Sequence, residues 1–246
     1  VIVFLFLLNL GITLIQYFTT PSTSPTLIPG MIDGNVPLTI PQDPNNSESK
    51  LILRSNNESE GLEFTWSTWI YIDKLSDEST IYQHIFNKGD TNFNNIGIAS
   101  VNNAPGLYLK SLEQNGINTA KLHIVMDSNN SYDTTNFINV EDVPIKKWVN
   151  VIIRMQNTIL DVYINGIVSG RLIMKDVPKQ NYNNVNVNQN RGFLGKISNL
   201  KYFNHALNIF EINSIIKTGP DLNQYQTMTP PTDFTYLSQL WYSNKL

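Results

Sequence analysis

The sequence predicts an all-β domain, a sandwich or barrel, on three observations. The first is a train of short apolar runs: "KLILRS", "LEFTWSTWIYID", "YQHIFNKG", "IGIASV", "GLYLKSL", "KLHIVMD", "TNFINV", a three-strand block from Trp148 to Ile173, and "FLGKISNLKYFN". Clusters of Asn, Gly, Asp and Pro separate them at nearly every step, the punctuation of antiparallel strands and turns. The second is strict alternation in "LDVYINGIVSGRLI", where Leu160, Val162 and Ile164 share one face and Asp161, Tyr163 and Asn165 the other. The third is composition: 33 asparagines in 246 residues favour turns and polar surfaces over helices.

From the N-terminus, "VIVFLFLLNLGITLIQYF" carries no charge, and the first ionisable side chain of the chain is Asp33. Residues 1–18 are expected to form a single transmembrane helix, although at about 1.5 Å per residue they fall slightly short of the roughly 30 Å hydrocarbon core. Residues 19–48 hold six prolines and no sustained period, which reads as a semi-extended linker. The domain proper is expected over 49–220.

Within it, "KKWVNVIIRMQNTIL" leads through a turn at Gln156-Asn157 into Ile159, and Asn165-Gly166 tolerates the positive backbone angles of a two-residue hairpin. One helix follows. Asn208 is placed to cap it, Glu211 stands in the capping-box position, Ile209, Ile212, Ile215 and Ile216 form an apolar stripe, and Gly219-Pro220 stops it. The tail, 221–246, is too apolar to float free and is expected to pack on the domain or on a partner.

Composition narrows the function. Only 15% of residues are charged, the net charge is -3 and no basic block occurs, so nucleic acid is excluded as a partner. With no cysteine there is no disulfide, thiolate nucleophile or cysteine-ligated metal.

In order, "EFTWSTWIYI", "IFNKGD", "GLYL", "KKWVNVIIRMQNTILDVYINGIVSGRL" and "GFLGKISNLKYFNHALNIFEINSIIKTGP" resemble the laminin G-like domains of the concanavalin A-like lectin/glucanase superfamily over roughly residues 47–220. The resemblance implies a jelly roll of two antiparallel sheets. Together with the apolar N-terminus, "VPKQNYNNVNVNQNRGFLGKISNLKYFNHALNIFEI" is similar to membrane-anchored members from large DNA viruses. That implies a single-pass virion component, docking on shell proteins. A glycan-binding adhesin is the alternative on the same fold.

No catalytic constellation is legible, and no enzyme is expected. Glucanases on this fold carry a Glu-x-Asp-x-x-Glu strand that this chain lacks; Glu141-Asp142 point to opposite faces and Asp161 stands alone in its hairpin. His84, His123 and His205 lack metal-ligand spacing and carboxylate neighbours, and Gly-x-Ser-x-Gly is absent. Calcium is the one cofactor the resemblance implies; Asp90 and Asn92, with Asn94 and Asn95, and Asp127, Asn129 and Asp133 offer hard oxygens on loops. Neither cluster matches a family ligand pattern, and Asn-rich turns look the same without a metal, so no cofactor is the base expectation. Trp66 and Trp69, three apart, face opposite sides of a strand; core filling is the expected role of both, with one stacking on a sugar as the alternative, and Trp148 is expected as a core anchor. For partners, Phe234, Tyr236, Leu240, Trp241 and Tyr242 in the tail are the candidate docking residues.

Overall fold

The computed structural model describes residues 2–19, 22–46, 48–54, 56–58, 61–114, 117–130 and 136–225. Two antiparallel sheets pack face to face. The first runs in the order β1 (Thr26–Asp33), β13 (Gly195–Phe203), β4 (Gly61–Ile72), β9 (Trp148–Asn157), β10 (Ile159–Ile164) and β11 (Ile167–Ile173), with β3 (Asn56–Glu58) also on β4. The second runs β2 (Leu38–Ile40), β12 (Val185–Val187), β5 (Gln83–Gly89), β6 (Asn103–Gln114), β7 (Ile117–Val125) and β8 (Phe137–Val143).

Period-two alternation builds the core. From β9, Val149, Val151, Ile153 and Met155 point inward; β10 adds Leu160 and Val162, β6 adds Leu107 and Leu109, and β7 adds Leu122 and Ile124. Trp66 lies at the centre, its ring 5.4 Å from Phe86 across the sandwich and 5.1 Å from Tyr202 on the neighbouring strand. The hairpin forms where Asn-Gly requires it: Asn165 and Gly166 have φ of 50° and 82°, and Ile164 pairs with Ile167. The preceding turn uses Asn157 at φ 56°.

The helix α2 (Ile209–Thr218) carries the expected capping box: Asn208 Oδ1 accepts from the Phe210 and Glu211 amides, and Glu211 Oε2 accepts from the Asn208 amide at 2.8 Å. Its inner face docks on the outside of the first sheet, where Ile212 joins Ile152 and Leu207, with Ile215 and Ile216 half-buried. Ile209, placed in the apolar stripe by spacing, is instead half exposed at the first turn.

Several expectations change. Residues 26–40 are not part of a linker but supply β1 and β2, and Leu27 and Ile28 are fully buried. Prolines misdirect here because both strands are sheet edges, where a missing N–H costs no ladder bond and irregular pairing is tolerated. β1 holds Pro29 within a register shift, between Ile28 and Met31. Residues 50–54 of the run "KLILRS" are not a strand; the Gln42 amide takes a pairing strand's place, donating to Lys50 O at 2.7 Å and accepting from Ile52 N at 3.0 Å. "IGIASV" is a loop with one bridge, Phe93 to Ala99.

The expected membrane-spanning segment forms a helix, α1 (Ile2–Thr19), but among the described residues no helix is long and apolar enough to cross a membrane. Eighteen residues rise only about 27 Å. None of its described side chains joins either hydrophobic cluster, and Phe4, Phe6, Leu7 and Ile15 are all more than half exposed.

Candidate functional site

Two constellations of polar and aromatic groups stand out from the core. The first is a cleft of about 650 Å³ at the end of the first sheet, lined by Asp33, Asn35, Tyr71, Asp73, Trp148, Phe193 and Lys196 among others. Strand parity builds it. Tyr71 alternates with the inward Ile70 and Ile72, and Trp148 precedes the inward Val149, so both rings face outward on adjacent strands. They meet at 5.6 Å and 52°. Lys196 lies opposite Tyr71 on β13, completing a row of Lys, Tyr and Trp across three strands. Trp148 is therefore not the core anchor expected of it, for it begins β9 on the outward phase. Asp33 ends β1 and Asp73 follows β4, so two carboxylates border an aromatic floor.

A smaller cleft of about 310 Å³ opens under α2, lined by Ser67, Trp69, Lys201, Phe203 and Glu211 among others. Trp69 faces opposite to Trp66, as the spacing required, and is mostly covered. The Gly219–Leu222 segment divides the two clefts, with Gly219 lining one, Leu222 the other and Asp221 O accepting from Ser198 Oγ at 2.7 Å.

The second constellation is the acidic rim beyond the ends of β5 and β7. Asp90 follows β5 and Asp127 follows β7. Both carboxylate oxygens of Asp90 are buried with no hydrogen-bond partner, and so is Oδ1 of Asn102. Asp127 Oδ2 accepts from the Asn103 amide at 2.7 Å. Burial pushes the Asp127 carboxyl above its ordinary range and the neighbouring Asp90 charge adds to this, outweighing the lowering by the Asn103 hydrogen bond and Lys179. The Tyr108 hydroxyl, which donates to Asn103 Oδ1 and accepts from Ala99 N, is raised mainly by burial, with Asp127 and Asp90 contributing.

Other expected ligands scatter. Asn92 is exposed, and its carbonyl is occupied by Ser100 N and Oγ. The Asn94 side chain closes its own turn, accepting from Ile96 N and Ile98 N. Asn95 and Asn129 are exposed. Asp133 and the tail candidates Phe234, Tyr236, Leu240, Trp241 and Tyr242 lie outside the described residues. What precedes them in the tail does pack on the domain: Tyr225 N donates to Met31 O at 2.8 Å beside β1. Among the described residues no group of three His, Cys, Asp or Glu gathers to hold a metal. Two carboxylates with an orphaned amide oxygen nevertheless fit a hard, oxygen-seeking cation such as calcium, with water completing its shell. Asn102 and the Tyr71–Trp148 pair were not singled out from sequence, although the phase of Val149, Val151 and Ile153 marks Trp148 as outward.

Two further corrections concern charge. Asp161 is not alone: Arg171 Nε donates to its Oδ1 at 2.6 Å, and Arg154 Nη1 lies 3.4 Å from Oδ2. His205 does have a carboxylate neighbour, Glu211, at 3.1 Å.

A family model for the concanavalin A-like lectin/glucanases superfamily, laminin G type, matches residues 45–213. The chain belongs to that superfamily. No curated protein matches the sequence. Among solved structures, the botulinum neurotoxin serotype D binding domain is similar at 15% identity and a TM-score of 0.49, covering 79% of this chain and 46% of that one. The same toxin's ligand binding domain, solved with N-acetylneuraminic acid, matches at 17% identity and a TM-score of 0.47, over 67% and 38%. The sialidase of Trypanosoma rangeli matches at 16% identity and a TM-score of 0.42, over 63% and 22%. The chain spans less than half the length of each.

Proposed function

We propose that this superfamily member is a non-catalytic glycan-binding module held at a membrane surface, with the Tyr71–Trp148 cleft as its sugar site. The observation that carries the reading is the outward aromatic pair on the floor of a cleft bordered by Asp33, Asn35, Asp73 and Lys196. Sugar rings present an apolar C–H face and a rim of hydroxyls. An aromatic floor takes the first, and carboxylates and amides take the second. The Asp90–Asp127 rim lies at the other end of β5 from the loop that carries Phe193 to the cleft. Calcium there would be held by Asp90, Asp127 and Asn102 and would stiffen the loops joining β5 to β6 and β7 to β8. Attachment is supported by α1, whose exposed apolar side chains gain by burial in lipid. A capsid-associated role rests on the sequence resemblance alone.

The test is a glycan array with the full chain in detergent, with and without chelator, and an assay for released reducing ends on every glycan bound. Saturable, selective binding that Trp148→Ala weakens about tenfold or more supports the reading. Unchanged binding in that variant, or no bound glycan, sinks it. Released reducing ends would make the module an enzyme.

A further inference from the structure

Neither the sugar site nor the acidic rim uses the smaller cleft, about 310 Å³ between α2 and the outer face of the first sheet. Strand parity builds its floor. Trp66 and Ile70 of β4 point into the core, which turns Ser67 and Trp69 outward, and Lys201 and Phe203 of β13 flank the inward Tyr202. A bulge sets the position of the lysine: Ser198 pairs with Trp69 and Lys201 with Ser67, three steps of β13 against two of β4. The extra residue, Asn199 at φ 51°, is what brings Lys201 into phase with the outward Ser67. Glu211 and Thr218, seven apart and so on one stripe of α2, line the cleft from the helix. Its volume is at the lower end of those that hold small ligands.

Two opposite charges face this cleft without meeting. Among the described residues Lys201 is in no ion pair, so it does not neutralise Glu211. Glu211 is fixed from behind, accepting from the Asn208 amide at 2.8 Å and lying 3.1 Å from His205 Nε2. The Asn208 amide, with help from His205, outweighs partial burial and holds the Glu211 carboxyl below its ordinary range, so it is an anion at neutral pH. Each of its oxygens keeps a lone pair for a further donor. Trp69, only 7% exposed, and Phe203 add aromatic surface. A ligand with a single charge satisfies one of the two groups and meets its own sign at the other. A ligand with both charges and a hydrocarbon body satisfies all of the lining.

We propose that the cleft under α2 binds a small zwitterion with an apolar body, of the class of free amino acids with apolar or aromatic side chains. The carboxylate lies on Lys201, the ammonium on Glu211 and the hydrocarbon on Trp69 and Phe203. The site is separate from the Tyr71–Trp148 cleft, on the other side of the Gly219–Leu222 segment.

Calorimetric titration of the full chain in detergent tests this with three probes of one skeleton: L-phenylalanine, 3-phenylpropionate, which lacks the ammonium, and phenethylamine, which lacks the carboxylate. Phenylalanine is expected to bind at least about tenfold more tightly than either half. This comparison needs no variant, so it stands whatever a substitution does to folding. Lys201→Met is expected to bring phenylalanine down to the level of phenethylamine. Glu211→Gln, which a capping box accommodates, is expected to bring it down to that of phenylpropionate, with an unchanged far-UV spectrum. Trp148→Ala is expected to leave the affinity unchanged, which keeps the result independent of the sugar site. No binding of phenylalanine up to about 10 mM, equal binding of the three probes, wild-type affinity in either charge variant, or loss in Trp148→Ala overturns the proposal.

Discussion

Asp161 and Asp90 are both aspartates with buried carboxylates, and the molecule treats them in opposite ways. Asp161, 1% exposed on the outward face of β10, is clamped by Arg171 and Arg154, and Arg154 is itself fixed by bonds to Leu207 O and Gln156 Oε1. Asp90 has both oxygens out of solvent and no donor on either, and it lies close enough to Asp127 to help raise that carboxyl's pKa. A buried charge in a complete network holds strands in register, whereas one left without donors marks a place that a cation would complete.

The largest expected effect tests the paired member. Asp161→Ala leaves Arg154, only 14% exposed on the interior strand β9, without its counter-charge. Loss of about 3 to 4 kcal/mol in urea unfolding is expected, as when one partner of a buried pair is removed. A loss under about 1 kcal/mol would show that water already serves the arginines, erasing the contrast.

His84 sharpens the comparison because it meets the same burial by staying neutral. Nδ1 accepts from Gln189 N at 3.0 Å, which places the proton on Nε2, 3.0 Å from Asn87 Oδ1. Burial outweighs the Asn87 hydrogen bond and lowers its pKa from 6.5 to about 4. Below 6.5 the unfolded chain takes up a proton that the folded chain refuses, so this contribution is complete above pH 6.5 and is lost as pH falls toward about 4. The loss amounts to about 3 kcal/mol. Asp127, raised, works against it: acidification through its folded pKa stabilises. Urea midpoints measured for the wild type and His84→Gln across that range should differ in slope, the variant being flatter. Parallel slopes would mean that His84 is protonated in the fold.

Much of this was legible in the sequence. Alternation gave the sheets, Asn165-Gly166 the hairpin, and Asn208 with Glu211 the helix. The misses share a cause: each turned on what lies across space rather than along the chain. Pro29 and Pro37 read as linker because nothing local says that a strand is an edge. Asp161 looked solitary because Arg154 and Arg171 sit on the strands either side of it. Trp148 read as core because its bulk was weighed above its phase. At the candidate sites, Asp90 and Asp127 were named from residue type alone, and only the fold brings them together with Asn102.

The smallest expected effect completes the contrast, because its sign is opposite to that at Asp161. Asp90→Asn removes a buried carboxylate that has no donor and replaces it with an amide that presents one oxygen fewer to be satisfied. Without metal, the variant should gain about 1 kcal/mol, the scale of relieving a buried unsatisfied polar group. Saturating calcium should reverse the ranking: at a hundredfold excess over Kd a bound ion adds about 2.7 kcal/mol to the wild type and little to Asp90→Asn. Thermal unfolding with chelator and then with calcium gives both signs in one experiment, and magnesium controls for nonspecific screening, since it fits a loose set of carboxylates poorly. Gain without metal but no calcium response would leave Asp90 as a strained carboxylate and remove the rim as a cation site. A loss of stability without metal would place an unrecognised donor on Asp90 and make it a second Asp161.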